Sequence, residues 1–261
     1  MIDGKKIAVV VPAYNEARAI AVVLSSMPSY VDEIVVVDDG SSDDTAKRTG
    51  SVLDRRVLLV RHRINRGVGA AIVTGYTLAF ANGADAVAVM AGDGQMDPDD
   101  LPALLRPVLD GEVEYAKGDR LSHPRAKQLM PLFRWLGNRL FSTLTRWITG
   151  LTVRDSQCGY TVLSRQAAHA LPLDAIWRGY GYPNDILGWI ACIGGRVTEV
   201  VVKPVYRDET SGLKLRHAFF VVPYVLIRVL GRRIIALQNS TRMRTRALRR
   251  IYRVGLPPWR S

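Results

Sequence analysis

Four times within the first 110 residues a short apolar run breaks into a turn of small and polar residues and then into a helix-forming stretch. The runs are residues 6–11, 33–37, 57–60 and 86–90. Helical segments follow to about residue 27, after the Ser and Asp caps of 41–45, from 65–71 to about 81, and over 99–109. Regular alternation of this kind predicts a parallel sheet with helices on both faces. The unbroken run Lys-Ile-Ala-Val-Val-Val at 6–11 suits a strand buried on both sides. Right-handed crossovers bring the carboxyl ends of such strands to one edge, where open α/β sheets bind ligands. Three of those ends carry polar turns, at 12–16, 38–41 and 91–95, and together they predict a nucleotide-diphosphate pocket. The chain lacks Gly-x-Gly-x-x-Gly after its first strand and has no Walker lysine loop, which argues against a dinucleotide or P-loop site.

The turn after residues 86–90 reads Ala91-Gly92-Asp93-Gly94-Gln95-Met96-Asp97-Pro98. It sets a carboxylate and an amide at the sheet edge between two glycines, with Pro98 opening the next helix. Asp93 is either a solvated turn residue or a hard oxygen ligand for Mg²⁺ or Mn²⁺, whose shell diphosphate would complete. At 261 residues, with 48% apolar and 23% charged, the chain has length and composition for a sizeable core. Cys158 and Cys192 have neither disulfide nor zinc spacing, which predicts a reducing, cytoplasmic setting. The first apolar run is too short for a signal peptide.

Four segments, taken in order, resemble the signatures of family 2 glycosyltransferases with the GT-A fold: Val10-Val11-Pro12-Ala13-Tyr14-Asn15-Glu16, Val37-Asp38-Asp39-Gly40-Ser41, Asn65-Arg66-Gly67-Val68-Gly69 and Asp93-Gly94-Gln95. The resemblance covers roughly residues 5–215 and is to the branch that charges polyprenyl or dolichyl phosphate with a sugar, the dolichol-phosphate mannose synthase type. It implies an α/β GT-A fold over residues 1–215, a mostly parallel sheet flanked by helices. It implies that Pro12, Tyr14, Asn15, Glu16, Asp39, Gly40, Gly67, Gly92 and Asp93 bind the nucleotide, and that Asp93 and Gln95 ligate Mg²⁺ or Mn²⁺. Ala91 stands where the family usually has the first carboxylate of Asp-x-Asp; either the remaining ligands suffice or metal dependence is weaker. Arg154-Asp155-Ser156-Gln157-Cys158-Gly159 resembles the segment beneath sugar and diphosphate, so Asp155 and Gln157 become candidate catalytic residues. Arg120, after a strand at 115–117, and Arg139 are candidates for phosphate contact, because an arginine fork binds two oxygens at once. Asp185 is either a carboxylate facing the acceptor or a partner of a helix N-terminus. After a strand at 200–205, Arg207, Ser211 and Lys214 resemble the basic loop that closes on the lipid phosphate.

Residues 129–148 carry Leu129, Leu132, Phe133, Leu136, Leu140, Leu144, Trp147 and Ile148 at helical spacing, as a core-facing amphipathic helix with solvated Arg134 and Arg146 would. The charge is lopsided. Residues 1–202 hold 22 Lys and Arg against 22 Asp and Glu, whereas 203–261 hold 14 against 2, so the whole excess of +12 sits at the end. The apolar run 218–227, flanked by Lys214, Arg216, Arg228, Arg232 and Arg233, is shorter than the about 20 residues a bilayer span needs. With six arginines between Arg242 and Arg253, residues 216–261 read as an amphipathic helix and basic tail on an anionic membrane surface. That predicts a peripheral protein on the cytoplasmic face, with membrane rather than nucleic acid as its polyanion.

A polyprenyl phosphate needs no general base, since its oxygen is already anionic, and none of His62, His123, His169 and His217 falls in a catalytic motif. The expected reaction is metal-dependent sugar transfer from a nucleotide-diphosphate sugar, UDP favoured by resemblance, to polyprenyl or dolichyl phosphate. The alternatives are a GDP-mannose-dependent dolichyl-phosphate mannosyltransferase, a soluble or glycan acceptor with Asp185 as base, and an inactive binding protein, which Ala91 would favour.

Overall fold

A computed structural model describes residues 1–205 and 220–253, with side chains described as far as 238. The elements run β1 (Ile7–Ala13), α1 (Ile20–Ser25), β2 (Glu33–Asp38), α2 (Thr45–Gly50), β3 (Val57–Arg61), α3 (Val68–Ala81), β4 (Ala86–Val89), α4 (Leu101–Leu109) and β5 (Tyr115–Asp119). Then come α5 (Ala126–Leu129), α6 (Leu132–Thr149), β6 (Thr161–Ser164), α7 (Arg165–Ala170), α8 (Tyr182–Cys192), β7 (Val197–Val201) and α9 (Val222–Arg253). The seven strands form one sheet in the order β3-β2-β1-β4-β6-β5-β7. The first four strands are mutually parallel, as the alternation predicts. β6 runs antiparallel to both β4 and β5, and β5 is parallel to β7. Strand β5 therefore points the same way as β4 and ends at the same edge.

Both sheet faces are covered, which explains the unbroken apolar runs. Ile7, Val9 and Val11 of β1 face one core layer with Ile20 and Leu24 of α1 and Leu101, Leu104 and Leu105 of α4. Ala8 and Val10 face the other layer, with Ala71, Ile72 and Tyr76 of α3 and Ile186, Leu187 and Ile190 of α8.

The structure differs from the sequence reading in four places. β6 and α7, absent from the expected elements, occupy 161–170, and β7 lies at Val197–Val201 rather than 200–205. The helix expected over 129–148 is broken by Pro131, which caps α6 and cannot continue α5. Helix α8 starts at Tyr182, four residues before the expected start at 186, with Pro183 in its first turn, where the missing N–H costs nothing.

The largest difference is the facing of α6. It is not a core-facing apolar helix. Its buried residues are Ser142, Thr145 and Thr149, while Leu132, Phe133, Leu136, Leu140 and Trp147 are exposed, Trp147 by 80%. The inward hydroxyls donate to helix carbonyls four residues back. They also meet a polar interior: the Ser156 N–H donates to Ser142 Oγ at 2.9 Å and Asn184 Nδ2 donates to Thr145 Oγ1 at 2.6 Å. In a buried layer of paired hydroxyls and amides the hydrogen bonds offset the cost of desolvation, so this polar face can be buried while the apolar stripe faces outward.

Helix α9 packs against α8 and α6. It buries Val222, Val225, Leu226 and Val229 and leaves Tyr224, Ile227, Leu230, Ile234, Ile235 and Leu237 exposed. Among the described residues no helix is long and apolar enough to cross a membrane.

Candidate functional site

The order β2-β1-β4 sets the three polar turns side by side. Asp39 N–H donates to Ala13 O at 2.8 Å and Gly92 N–H donates to Pro12 O at 3.1 Å, joining the strand ends directly. The turn after β1 is stitched to that after β2: Asn15 N–H donates to Ser41 Oγ at 2.9 Å, and Asn15 Oδ1 accepts the Ser42 N–H at 2.9 Å. Glu16 N–H donates to Thr45 Oγ1 at 2.8 Å. Asn15 has a φ of 58°, an unusual conformation that Asn tolerates and that these bonds hold in place. Pro12 and Gly92 are buried beneath this rim, while Tyr14 and Asn15 are exposed on it.

Asp39 is buried and fully engaged. Its Oδ1 lies 2.6 Å from His62 Nδ1 and accepts the Arg66 N–H at 2.9 Å, and its Oδ2 accepts the Gly67 N–H at 2.7 Å. The carboxylate thus shapes the pocket by fixing the turn that carries Gly67. That turn lies against the backbone at 177–179: a Cβ on Gly67 would stand 2.5 Å from Arg178 O, and one on Gly69 would stand 2.1 Å from Trp177 O. The φ of 95° at Gly67 adds a second reason for glycine there.

Asp93 and Gln95 share a pocket with Met96, Arg120, Gly159, Tyr160 and Lys203. Asp93 Oδ1 accepts the Gln95 N–H at 3.0 Å, which sets both side chains on one tight turn. Tyr180 stands near enough to feel this charge: burial raises its phenol pKa, and the carboxylates of Asp93 and Glu16 raise it further. The oxygens of Asp93 and Gln95 suit a divalent cation that takes most of its shell from diphosphate and water, so these residues fit Mg²⁺ or Mn²⁺. Among the described residues no three of His, Cys, Asp and Glu converge as a metal cage, in keeping with Ala91 supplying no ligand.

At the end of β5, Arg120 forks onto Asp155, Nε to Oδ2 at 2.8 Å and an Nη to Oδ1 at 3.0 Å. Asp155 is completely buried. Burial pushes its carboxyl up, but the charge and hydrogen bonds of Arg120, with the charge of Lys117, outweigh that and hold it below the ordinary carboxylate value. Lys117, itself buried, donates to Asp155 O, and Glu199 accepts the Asp155 N–H at 2.9 Å. Gln157 donates to Ser156 Oγ at 3.0 Å and to Asn184 Oδ1 at 2.7 Å. Its amide therefore belongs to the polar layer beneath α6.

Two predicted residues, Asp185 and Arg139, lie elsewhere. Asp185 is completely buried, accepting the Trp177 N–H at 2.9 Å and an Nη of Arg232 from α9 at 2.5 Å, with Arg228 Nε 3.8 Å away. A general base must reach the proton it takes, and this carboxylate is enclosed and ion-paired. Its task is to hold α9. Arg139 is separate from Asp93 and Arg120, on the flank of α6 beside Arg146 and Arg154. Arg207 and Lys214 lie outside the described residues. Sequence reasoning missed His62, Lys117, Asn184 and Glu199, whose importance comes from partners on distant elements.

Comparison with known proteins places these features in a family. The model of glycosyl transferase family 2 matches residues 8–171. The UDP-N-acetylglucosamine–dolichyl-phosphate N-acetylglucosaminyltransferase of Methanococcus voltae is 33% identical over 219 residues, covering 78% of this chain and 87% of its own. The undecaprenyl-phosphate mannosyltransferase of Micrococcus luteus is 28% identical, covering 78% and 85%. Among solved structures, glucosyl-3-phosphoglycerate synthase from Mycobacterium tuberculosis, in complex with Mn²⁺, UDP-glucose and phosphoglyceric acid, superposes with a TM-score of 0.63. It is 26% identical and covers 87% of this chain and 80% of its own.

Proposed function

The chain belongs to glycosyl transferase family 2 and is a glycosyltransferase, and from that premise we propose that it moves a sugar from a nucleotide-diphosphate sugar to the phosphate of a polyprenol or dolichol at a membrane surface. The observation that carries the reading is the pairing of two things at one sheet edge: the Asp93–Gln95 turn and the Arg120 fork set by buried Asp155. A UDP-sugar is the favoured donor, supported by the UDP-sugars in the names of the M. voltae relative and the solved neighbour.

An acceptor that is already an anion needs no proton removed. It needs positioning, and its charge must be offset next to that of the diphosphate. Arg120 is suited to this because Asp155 fixes its guanidinium plane before any ligand arrives. Asp93 and Gln95 would hold the divalent cation, which as a Lewis acid would stabilise the departing nucleoside diphosphate. Tyr14, Asn15 and Glu16 on the β1 rim would border the nucleotide, with Asp39 acting through the Gly67 turn. Arg207 and Lys214 are proposed to complete the phosphate site from the acceptor loop. The soluble-acceptor alternative with Asp185 as base is disfavoured by the burial of that carboxylate against Arg232.

Attachment to the cytoplasmic face of the membrane is supported by two outward apolar faces and the basic end of the chain. Leu132, Phe133, Leu136, Leu140 and Trp147 on α6 and Tyr224, Ile227 and Leu230 on α9 are large apolar side chains left in water. Residues 203–261 add the whole net charge of +12.

The test is transfer of label from a panel of UDP- and GDP-sugars to undecaprenyl or dolichyl phosphate, with Mn²⁺ or with EDTA. Metal-dependent label in the organic phase from one donor is the expected result. Label released only as free sugar, or none from any donor, would reject the assignment.

A further inference from the structure

A second cavity, of about 220 Å³, opens beside α6 and is lined by Leu121, Ser122, Arg139, Thr143, Arg146 and Arg154. It neighbours the Asp93 pocket along the chain at 120–121 but shares no lining residue with it. Three exposed guanidinium groups around one cavity raise its positive potential and favour an anion there. Among the described residues none of these three guanidinium groups forms an ion pair with a carboxylate, and from Arg154 Glu199 accepts only the backbone N–H, although acids and bases balance over residues 1–202. Arg146 Nη2 donates to Thr143 Oγ1 at 3.0 Å, and the Arg139 guanidinium lies 4.7 Å from the centroid of a Trp135 ring. Two planar forks held in place, a third at Arg154 whose Nη1 lies 3.5 Å from Ser122 Oγ, and the hydroxyls of Ser122 and Thr143 make the donor set that suits phosphate oxygens.

The position of the cavity narrows the ligand. Helical periodicity puts Arg139, Thr143 and Arg146 in a row alongside Leu132, Leu136, Leu140 and Trp147. Those apolar residues are exposed, Leu140 by 58%. A phosphate in the cavity would therefore sit at the edge of an apolar stripe, as a headgroup sits above acyl chains. The acceptor phosphate has a different requirement, since it must meet the donor sugar on the Asp93 side. We propose that the Arg139–Arg146–Arg154 cavity binds the headgroup phosphate of an anionic phospholipid and so fixes the orientation of α6 on the bilayer. This inference rests on the membrane-surface reading above.

The probe is dihexanoylphosphatidylglycerol, a lipid that stays monomeric in water, titrated into the full chain. Arg146→Gln with Arg154→Gln should raise its Kd by about tenfold or more, a loss of at least one charge-assisted contact. Arg242→Gln with Arg244→Gln removes the same charge from the tail and should leave this Kd unchanged. The cavity variant should also lose the preference for vesicles containing phosphatidylglycerol over phosphatidylcholine alone. Equal probe affinity in wild type and cavity variant would overturn the proposal, as would an equal loss in the tail variant. A fall in transfer to a short-chain polyprenyl phosphate in detergent would give the cavity to the acceptor instead, and that too would overturn it. Failure of the wild type to partition onto either vesicle would sink the membrane reading and this proposal with it. Normal partition with no cavity-dependent probe binding would sink this proposal alone.

Discussion

At Asp155 two opposing forces meet on one carboxylate. Complete burial favours its neutral form, yet the Arg120 fork and the Lys117 charge hold it ionised. Asp155→Ala would leave Arg120, whose side chain is only 22% exposed, without its partner, a loss of about 3 kcal/mol. The pH sign follows from the direction of the shift. A carboxyl lowered in the folded state contributes stability above its ordinary pKa and gives it up as pH falls through the folded value. In denaturant titrations Asp155→Asn should thus be less stable than wild type at neutral pH, and the gap should close on acidification. A gap constant across that range would mean the pair is not ionised. Arg120→Lys keeps the charge but loses the fork, so kcat/KM for transfer should fall about 100-fold, the scale of one lost preorganised donor, with folding intact. Arg120 and Asp155 were legible because each stands in a short recognisable segment. Lys117, Glu199 and Asn184 were not, because they meet that segment across the sheet edge and no local spacing records it.

At the scale of elements, periodicity revealed that α6 is a helix but not which way it faces. An apolar stripe reads the same whether it covers a core or faces outward. What decides is the opposite face, and in α6 that face carries Ser142, Thr145 and Thr149, matched to Ser156 and Asn184. Leu136→Glu with Leu140→Glu should therefore leave Tm nearly unchanged, within about 0.5 kcal/mol per site for exposed positions, while vesicle binding falls sharply. Unfolding by this pair would show that the stripe is core. The short strand β6 escaped notice for another reason. Four residues carry too little pattern to separate a strand from the turn that feeds it, and its antiparallel direction is set by neighbours on both sides. Asp185 shows the same limit between elements: its partner Arg232 is 47 residues away on α9. Asp185→Asn should destabilise the docking of α9 by about 3–5 kcal/mol, since it leaves a partly buried guanidinium without its anion. The pH–rate profile should keep its shape, because no proton passes through this carboxylate. Loss of one limb of that profile with α9 still docked would restore Asp185 as a base.

For the whole molecule, the division of charge and the division of labour run together. The sheet and nearly all of the residues lining its pockets lie in the region where acids balance bases, and the excess of +12 follows residue 202. A neutral catalytic body with a cationic end separates encounter from chemistry. Attraction to an anionic surface changes how often the enzyme meets an embedded acceptor, not how fast it reacts once there. Raising salt from about 0.1 M to about 1 M shortens the screening length from about 10 Å to about 3 Å and, on the proposed membrane reading, should weaken the attraction of the basic end to the lipid. With polyprenyl phosphate in vesicles containing phosphatidylglycerol, the apparent KM for the acceptor should rise by about tenfold or more across that range, because several basic residues contribute about 1 kcal/mol each. kcat should hold, and a short-chain acceptor in neutral detergent should show little change in either constant. The buried Arg120–Asp155 pair lies out of reach of the added ions, which is why the chemistry is expected to be salt-resistant while the encounter is not. A kcat that falls with salt in detergent would place the sensitivity in the active site, and the cationic end would then need another partner.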